Sequence, residues 1–195
     1  MDVMKGTEHF ISNGHEIDKT VNDFWAWYAS DLLSNILRGA LAEFLVATAL
    51  GIDTKKTRID WEAYDLKYGE TRIEVKSSAY LQSWQQKAPS KLRFSIAPAL
   101  EYDWDRYTYA GELIRHSDFY VFCVFTCLNR AEANIMSMNQ WQFYVLPTTV
   151  LNEKCSNQRS IGLPQLISLG AKCCTFETIK EEIDSQLQTI VRGVR

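Results

Sequence analysis

Seven consecutive apolar residues, Phe119 to Phe125 (FYVFCVF), constrain the fold of this chain more than any other segment. The run shows no polar-apolar alternation, so it has the character of a central strand covered on both faces. Such a strand needs neighbours beside it and layers above and below it. The chain can supply them: hydrophobic residues make up 46% of its 195 residues, with 6 Trp, 9 Tyr and 9 Phe. That length suits one domain, and the chain has no internal repeat, low-complexity tract or Gly/Ser/Pro-rich linker to divide it.

Elements of two periods surround the central run. Residues from about Asp18 to Leu50 read as helical with a break near Ser30-Asp31, and Gly51 supplies the stop. On the wheel, Leu33, Ile36, Leu37, Ala40, Leu41, Phe44 and Ala47 define the expected buried arc, with Glu43 inside it. Arg58 to Lys67 and Thr71 to Ser77, joined through Tyr68-Gly69-Glu70, read as an antiparallel hairpin. Leu92 to Ala97 and Trp141 to Leu146 are further strands, the second ended by Pro147. Phe176, Ile179, Ile183, Leu187 and Ile190 recur at helical steps, with Thr178 and Glu181 spaced as a capping box. The expected class is α/β, a central mixed sheet of four to six strands flanked by helices, in a single domain over residues 1–195. Its parts are a helical opening over 1–50, a sheet core over 58–146 and a closing helix over 175–192.

Charge and cysteine usage narrow the function. With 21 Lys+Arg against 24 Asp+Glu the net charge is -3, which excludes a protein that coats nucleic acid by bulk positive charge. No segment reaches the roughly 18 apolar residues that span a bilayer, and the opening residues have neither the basic head nor the apolar run of a signal peptide. The expectation is a cytoplasmic protein with no membrane partner. Its five cysteines form no CxxC pair with His at zinc-finger spacing and read as reduced thiols.

The chemistry concentrates in YDLKYGETRIEVKSS, residues 64–78. In a strand, alternate side chains share a face, so Glu74 and Lys76 point one way while Ile73 and Val75 point the other. A turn at Gly69 brings Asp65 beside Glu74, giving two hard oxygen ligands on neighbouring strands. Two adjacent carboxylates repel unless a cation neutralises them, and Mg2+ suits a site with few carboxylates and open positions. Glu43, on the apolar side of the first helical region, is a charge that is retained when it is paired or metal-bound. Its bland reading is a rim residue that reaches water or meets Arg38 or Lys76.

A helix bearing GALAEFLVATALG, then Asp65, then Glu74-Val75-Lys76, in that order, resembles the PD-(D/E)xK nuclease superfamily with its restriction-endonuclease-like fold. Glu43 matches the helix acid, Asp65 the motif aspartate, Glu74 the second acid and Lys76 the lysine. Tyr64 stands where a proline often precedes the aspartate. The resemblance implies a Mg2+-dependent endonuclease acting on DNA, with Mn2+ able to substitute. Asp65, Glu74 and the Val75 backbone carbonyl would hold the metal, Glu43 would complete the site directly or through a water, and Lys76 would orient or activate the attacking water. Gln82 is the auxiliary residue beyond the lysine.

Lys55, Lys56 and Arg58 before the hairpin, and Lys87, Lys91 and Arg93 after the QSWQQ segment, are the expected phosphate contacts. Trp84 can stack on a base or pack in the core. Cutting both strands of a duplex favours a homodimer. The rival reading is a non-catalytic nucleic-acid- or protein-binding subunit with a nuclease-like fold. The contiguous His116-Ser117-Asp118 cannot place its own side chains as a catalytic triad.

Overall fold

A computed structural model describes residues 3–58, 62–103 and 107–193. An N-terminal hairpin, β1 (His9–Ser12) and β2 (His15–Thr20), leads into the helices α1 (Val21–Ala29) and α2 (Asn35–Leu50). The strands β3 (Leu66–Tyr68), β4 (Thr71–Ala79), β5 (Arg93–Ser95), β6 (Ala99–Asp103), β7 (Thr108–Ile114), β8 (Phe119–Phe125) and β9 (Trp141–Pro147) follow. The chain then runs through α3 (Thr148–Lys154), β10 (Ser160–Gly162), α4 (Leu163–Ser168), β11 (Lys172–Cys174) and α5 (Ile179–Gly193). No helix among the described residues is long and apolar enough to cross a membrane.

The main sheet has five strands in the order β11-β9-β8-β4-β3. It is mixed: β4 pairs with β8 in parallel, and the other three pairings are antiparallel. All seven residues of β8 are buried, as its uninterrupted apolar run requires. On one face, Ile73, Val75, Val121, Cys123, Phe143 and Val145 pack against Ala42, Leu45 and Val46 of α2 and Ile179 and Ile183 of α5. On the other, Tyr120, Phe122, Val124 and Leu146 pack against Phe94 of β5, Leu151 of α3, Ile161 of β10 and Leu166 of α4. The architecture is therefore α/β, with a mixed five-stranded sheet flanked by helices.

Several expectations from the sequence are corrected. The first helix starts at Val21, because Asp18–Thr20 belong to β2 and Thr20 caps α1 in a reciprocal box with Asp23. Asn13 and Gly14, both at positive φ, turn the β1–β2 hairpin. The expected break is real, and Ser34 caps α2 while Gly51 ends it at φ 71°. The buried face of α2 is rotated from the expected arc. Ile36 and Phe44 are exposed, whereas Arg38, Ala42, Leu45, Val46, Ala47 and Leu50 are buried. This helix is apolar nearly all round, so its sequence does not choose the face, and the sheet does.

Of the strand expected over Arg58–Lys67, residues 59–61 lie outside the described residues and only Leu66 onward is extended. The segment around Leu92–Ala97 forms β5, which pairs with β10 in a separate two-stranded ribbon and does not join the main sheet. Ahead of the closing helix, Phe176–Thr178 form a 3-10 turn capped by Thr175, whose N–H donates to Thr178 Oγ1 at 3.0 Å, so Thr178 ends that turn where the sequence suggested it would open a capping box with Glu181.

Phe122 stands edge-on to Phe94, ring centroids 5.0 Å apart, and both are fully buried. Phe122→Ala is expected to destabilise the fold by about 3–5 kcal/mol in urea denaturation, the cost of an unfilled aromatic site in a core.

Candidate active site

The β3–β4 hairpin closes through the two residues Gly69-Glu70, with Gly69 at φ 59°, and pairs Leu66 with Ile73 and Tyr68 with Thr71. Asp65 lies one residue beyond this ladder and extends it by other means. Its N–H donates to Ile73 O at 3.1 Å, and its Oδ2 accepts from Val75 N at 2.7 Å. The carboxylate thus replaces the acceptor that a longer β3 would have offered, and the aspartate is locked beside the Glu74-Val75-Lys76 segment.

Alternation along β4 works as expected. Ile73 and Val75 are buried in the α2 side of the core, and Glu74 and Lys76 share the opposite face, half-buried. The Lys76 ammonium pairs with Glu74 and lies 4.0 Å from Asp65 Oδ2. Glu43 is buried at the margin of the α2 face and accepts both nitrogen contacts of Arg58, one of them at 2.8 Å from Nη2. Its partner is thus Arg58, whereas the sequence offered Arg38 or Lys76. Arg58 consequently belongs to the charge cluster, with its side chain still 47% exposed.

Three carboxylates, Glu43, Asp65 and Glu74, therefore meet two cations, Arg58 and Lys76. The imbalance shows in the protonation equilibria. Burial, and then the Asp65 charge, push the Glu74 carboxyl above its ordinary value despite the Lys76 pair. Burial alone would lower Lys76, but Glu74, Asp65 and Glu43 hold its pKa up. The Lys76 direction reports the surrounding acids, whereas the Glu74 direction reports burial first and the Asp65 charge second. The acids around Lys76 therefore favour its ammonium form, which donates hydrogen bonds.

Among the described residues, no three His, Cys, Asp or Glu side chains form a ready metal cage. The donor set nevertheless fits Mg2+, which binds through one or two carboxylates and keeps several waters. Asp65 and Glu74 are two hard oxygen donors whose shared neighbour is a single ammonium.

The remaining candidates separate. Gln82 is buried and turned to Arg38: its Oε1 accepts from Arg38 Nη1 at 3.3 Å and its Nε2 donates to Ala79 O at 3.0 Å. Lys55 and Lys56 are exposed. Lys87 lines a cavity of about 670 Å³ with Arg130, while Lys91 and Arg93 line a smaller one with Arg38. Arg38 is the residue that the sequence reading undervalued. It precedes Ala42, Leu45 and Val46 at helical spacing, a cation in the stripe that faces the sheet. His116, Ser117 and Asp118 go to three different partners, Ala99 O, Thr148 and Arg72.

No family model, no curated protein and no solved structure matches the chain. The Asp65 hydrogen bond and the raised Glu74 pKa each carry a prediction. Asp65→Ala leaves the Val75 N–H without its acceptor and should cost about 1–3 kcal/mol in chemical denaturation, whereas Asp65→Asn, whose amide oxygen can still accept, should cost clearly less. The folded state holds the Glu74 proton more tightly than the unfolded chain does. The contribution of this group to stability is therefore fullest below the ordinary carboxylate pKa and falls as pH rises through the raised value. Glu74→Gln should thus melt no lower than the wild type at pH 7, and its advantage should shrink when the melts are repeated below the ordinary carboxylate range.

Proposed function

We propose that this protein is a divalent-metal-dependent endonuclease of restriction-endonuclease-like architecture that hydrolyses phosphodiester bonds in DNA. The observation that carries the reading is the convergence of Asp65, Glu74 and Lys76 on one face of a hairpin, with Glu43 from the preceding helix contributing to the same electrostatic cluster. These are the four positions that resemble the superfamily motif, in the same order along the chain. The pairing of β4 with a parallel neighbour inside a mixed sheet is compatible with that architecture.

Asp65 and Glu74, with the Val75 backbone carbonyl, would hold Mg2+. When bound, the ion supplies charge to the phosphate and lowers the pKa of a coordinated water. The chain's own residues do the rest. The Val75 N–H fixes the Asp65 carboxylate, so one donor is set in place before substrate arrives. Lys76, kept protonated by the surrounding acids, donates to the attacking water or to a phosphate oxygen where negative charge develops. Arg58 pairs with Glu43 at the edge of the same cluster and fixes that carboxylate in place.

A second reading, a non-catalytic subunit, draws on the internal pairing of Glu43 with Arg58 and of Glu74 with Lys76, which leaves both acids with partners. One experiment separates the two. Supercoiled plasmid is incubated with the protein and Mg2+ or Mn2+, beside an EDTA control and the variants Glu74→Gln and Lys76→Ala. Nicking or linearisation that disappears with EDTA and falls on the order of 10³-fold in each variant supports the nuclease. Full activity in either folded variant refutes the assignment. A melting temperature raised by Mg2+ in the wild type but not in Glu74→Gln marks the metal site independently of turnover.

A further inference from the structure

Beside the charge cluster, on the continuation of β4, lies a cavity of about 340 Å³ whose lining, among the described residues, contains three cations and no carboxylate. Arg38 forms part of its wall and is 5% exposed. Its guanidinium makes four hydrogen bonds, all to neutral groups: Ser77 Oγ, Leu33 O, Gln82 Oε1 and Asn35 Oδ1. Among the described residues it has no acidic partner, although buried charges are ordinarily paired. A guanidinium has five N–H donors, so its orientation is set while its charge stays uncompensated.

Lys91 and Arg93 add two exposed cations to the same cavity, and Arg93 keeps one hydrogen bond, from Nη1 to Ser160 Oγ at 2.9 Å. Ser78 shares the β4 face of Glu74 and Lys76 and accepts from Arg93 N at 3.3 Å. It stands two residues beyond Lys76, about 7 Å along the strand. At the rim, Trp84 is 55% exposed although the loop beneath it is held: Arg130 donates to Gln82 O at 2.6 Å and to Trp84 O at 2.7 Å. An indole that stands out from a fixed backbone beside a cationic cavity has the form of a stacking platform for a base.

We propose that this cavity is a phosphate subsite for a nucleic-acid strand, in which Arg38, Lys91 and Arg93 seat a backbone phosphate neighbouring the one offered to Asp65, Glu74 and Lys76, and Trp84 stacks an unpaired base. The inference rests on the nuclease reading for its partner, but it is tested by binding alone. The affinity of the full chain for a fluorescent single-stranded oligothymidylate is measured by anisotropy in EDTA over a series of salt concentrations. The protein set is the wild type, Lys91→Gln/Arg93→Gln, Arg38→Gln, Trp84→Ala and Lys172→Gln, the last on the far edge strand β11.

The double variant should bind at least about tenfold more weakly at 0.1 M salt, and its slope of log K against log salt should fall by about 0.7, the loss of one phosphate contact on a single strand. Trp84→Ala should weaken binding without changing the slope, because stacking carries no charge, and Lys172→Gln should match the wild type. If Arg38→Gln fails to fold, the surface double variant still decides. Wild-type binding by the double variant overturns the subsite, and so does a wild type that binds no oligothymidylate. Inorganic phosphate bound in place of the strand, and lost in the double variant, would make this a free-anion site and overturn the strand assignment. Plasmid cleavage lost in Glu74→Gln would leave the nuclease reading standing in any of these cases, so the two proposals fail separately.

Discussion

The parallel ladder between β4 and β8 joins the two parts of this molecule that must meet. β8 is buried along its whole length and can exist only inside a sheet with layers on both faces. β4 carries the polar residues, and its pairing runs residue for residue from Ile73 with Phe119 to Ala79 with Phe125. Glu74 and Lys76 are therefore held against the fully buried strand of the fold. The face that takes Ile73 and Val75 into the core leaves Glu74, Lys76 and Ser78 on the other side. A slip of one residue would exchange the two sets and bury the charges among Ala42, Leu45 and Val46.

Electrostatics divides the groups gathered around β4 into two regions of opposite need. Around Asp65 and Glu74, burial and then the Asp65 charge make the Glu74 carboxyl reluctant to ionise, and the acids make the Lys76 ammonium reluctant to lose its proton against the opposing effect of its burial. Around Arg38 positive charge is in excess, with Lys91 and Arg93 beside it and no acid in the lining. Burial lowers the pKa of Arg38, yet a guanidinium remains charged in proteins. A region short of cations thus lies next to a region rich in them, and β4 contributes residues to both.

Local signals were legible where the residues themselves act locally. Gly51 ended α2 and Gly69 turned the hairpin because each position needs a positive φ. The alternation of Thr71 to Lys76 assigned faces correctly because a strand has a period of two whatever surrounds it. The Asn13-Gly14 turn was equally local and was available to sequence reasoning, yet Asp18–Thr20 were absorbed into a helix that starts only at Val21. The rotation of α2 was not legible. Ile36, Leu41, Phe44, Leu45 and Val46 surround the helix with apolar side chains, and nothing in their spacing ranks one stripe above another. Glu43 was found to be buried, but at the margin of a face other than the one expected.

By itself the sequence determined the central strand, the α/β class, the hairpin and the order of Glu43, Asp65, Glu74 and Lys76, because each follows from chain connectivity and short-range periodicity. Tertiary structure decided the partners. Arg58 reaches Glu43 from 15 residues away, and Arg38 meets Ser77 and Gln82 from 39 and 44. Those pairings depend on which face of α2 meets the sheet and where the loop after β4 is held. Both are set by packing between elements distant in the chain, and a charged side chain selects among partners only after packing has brought them within a few ångströms.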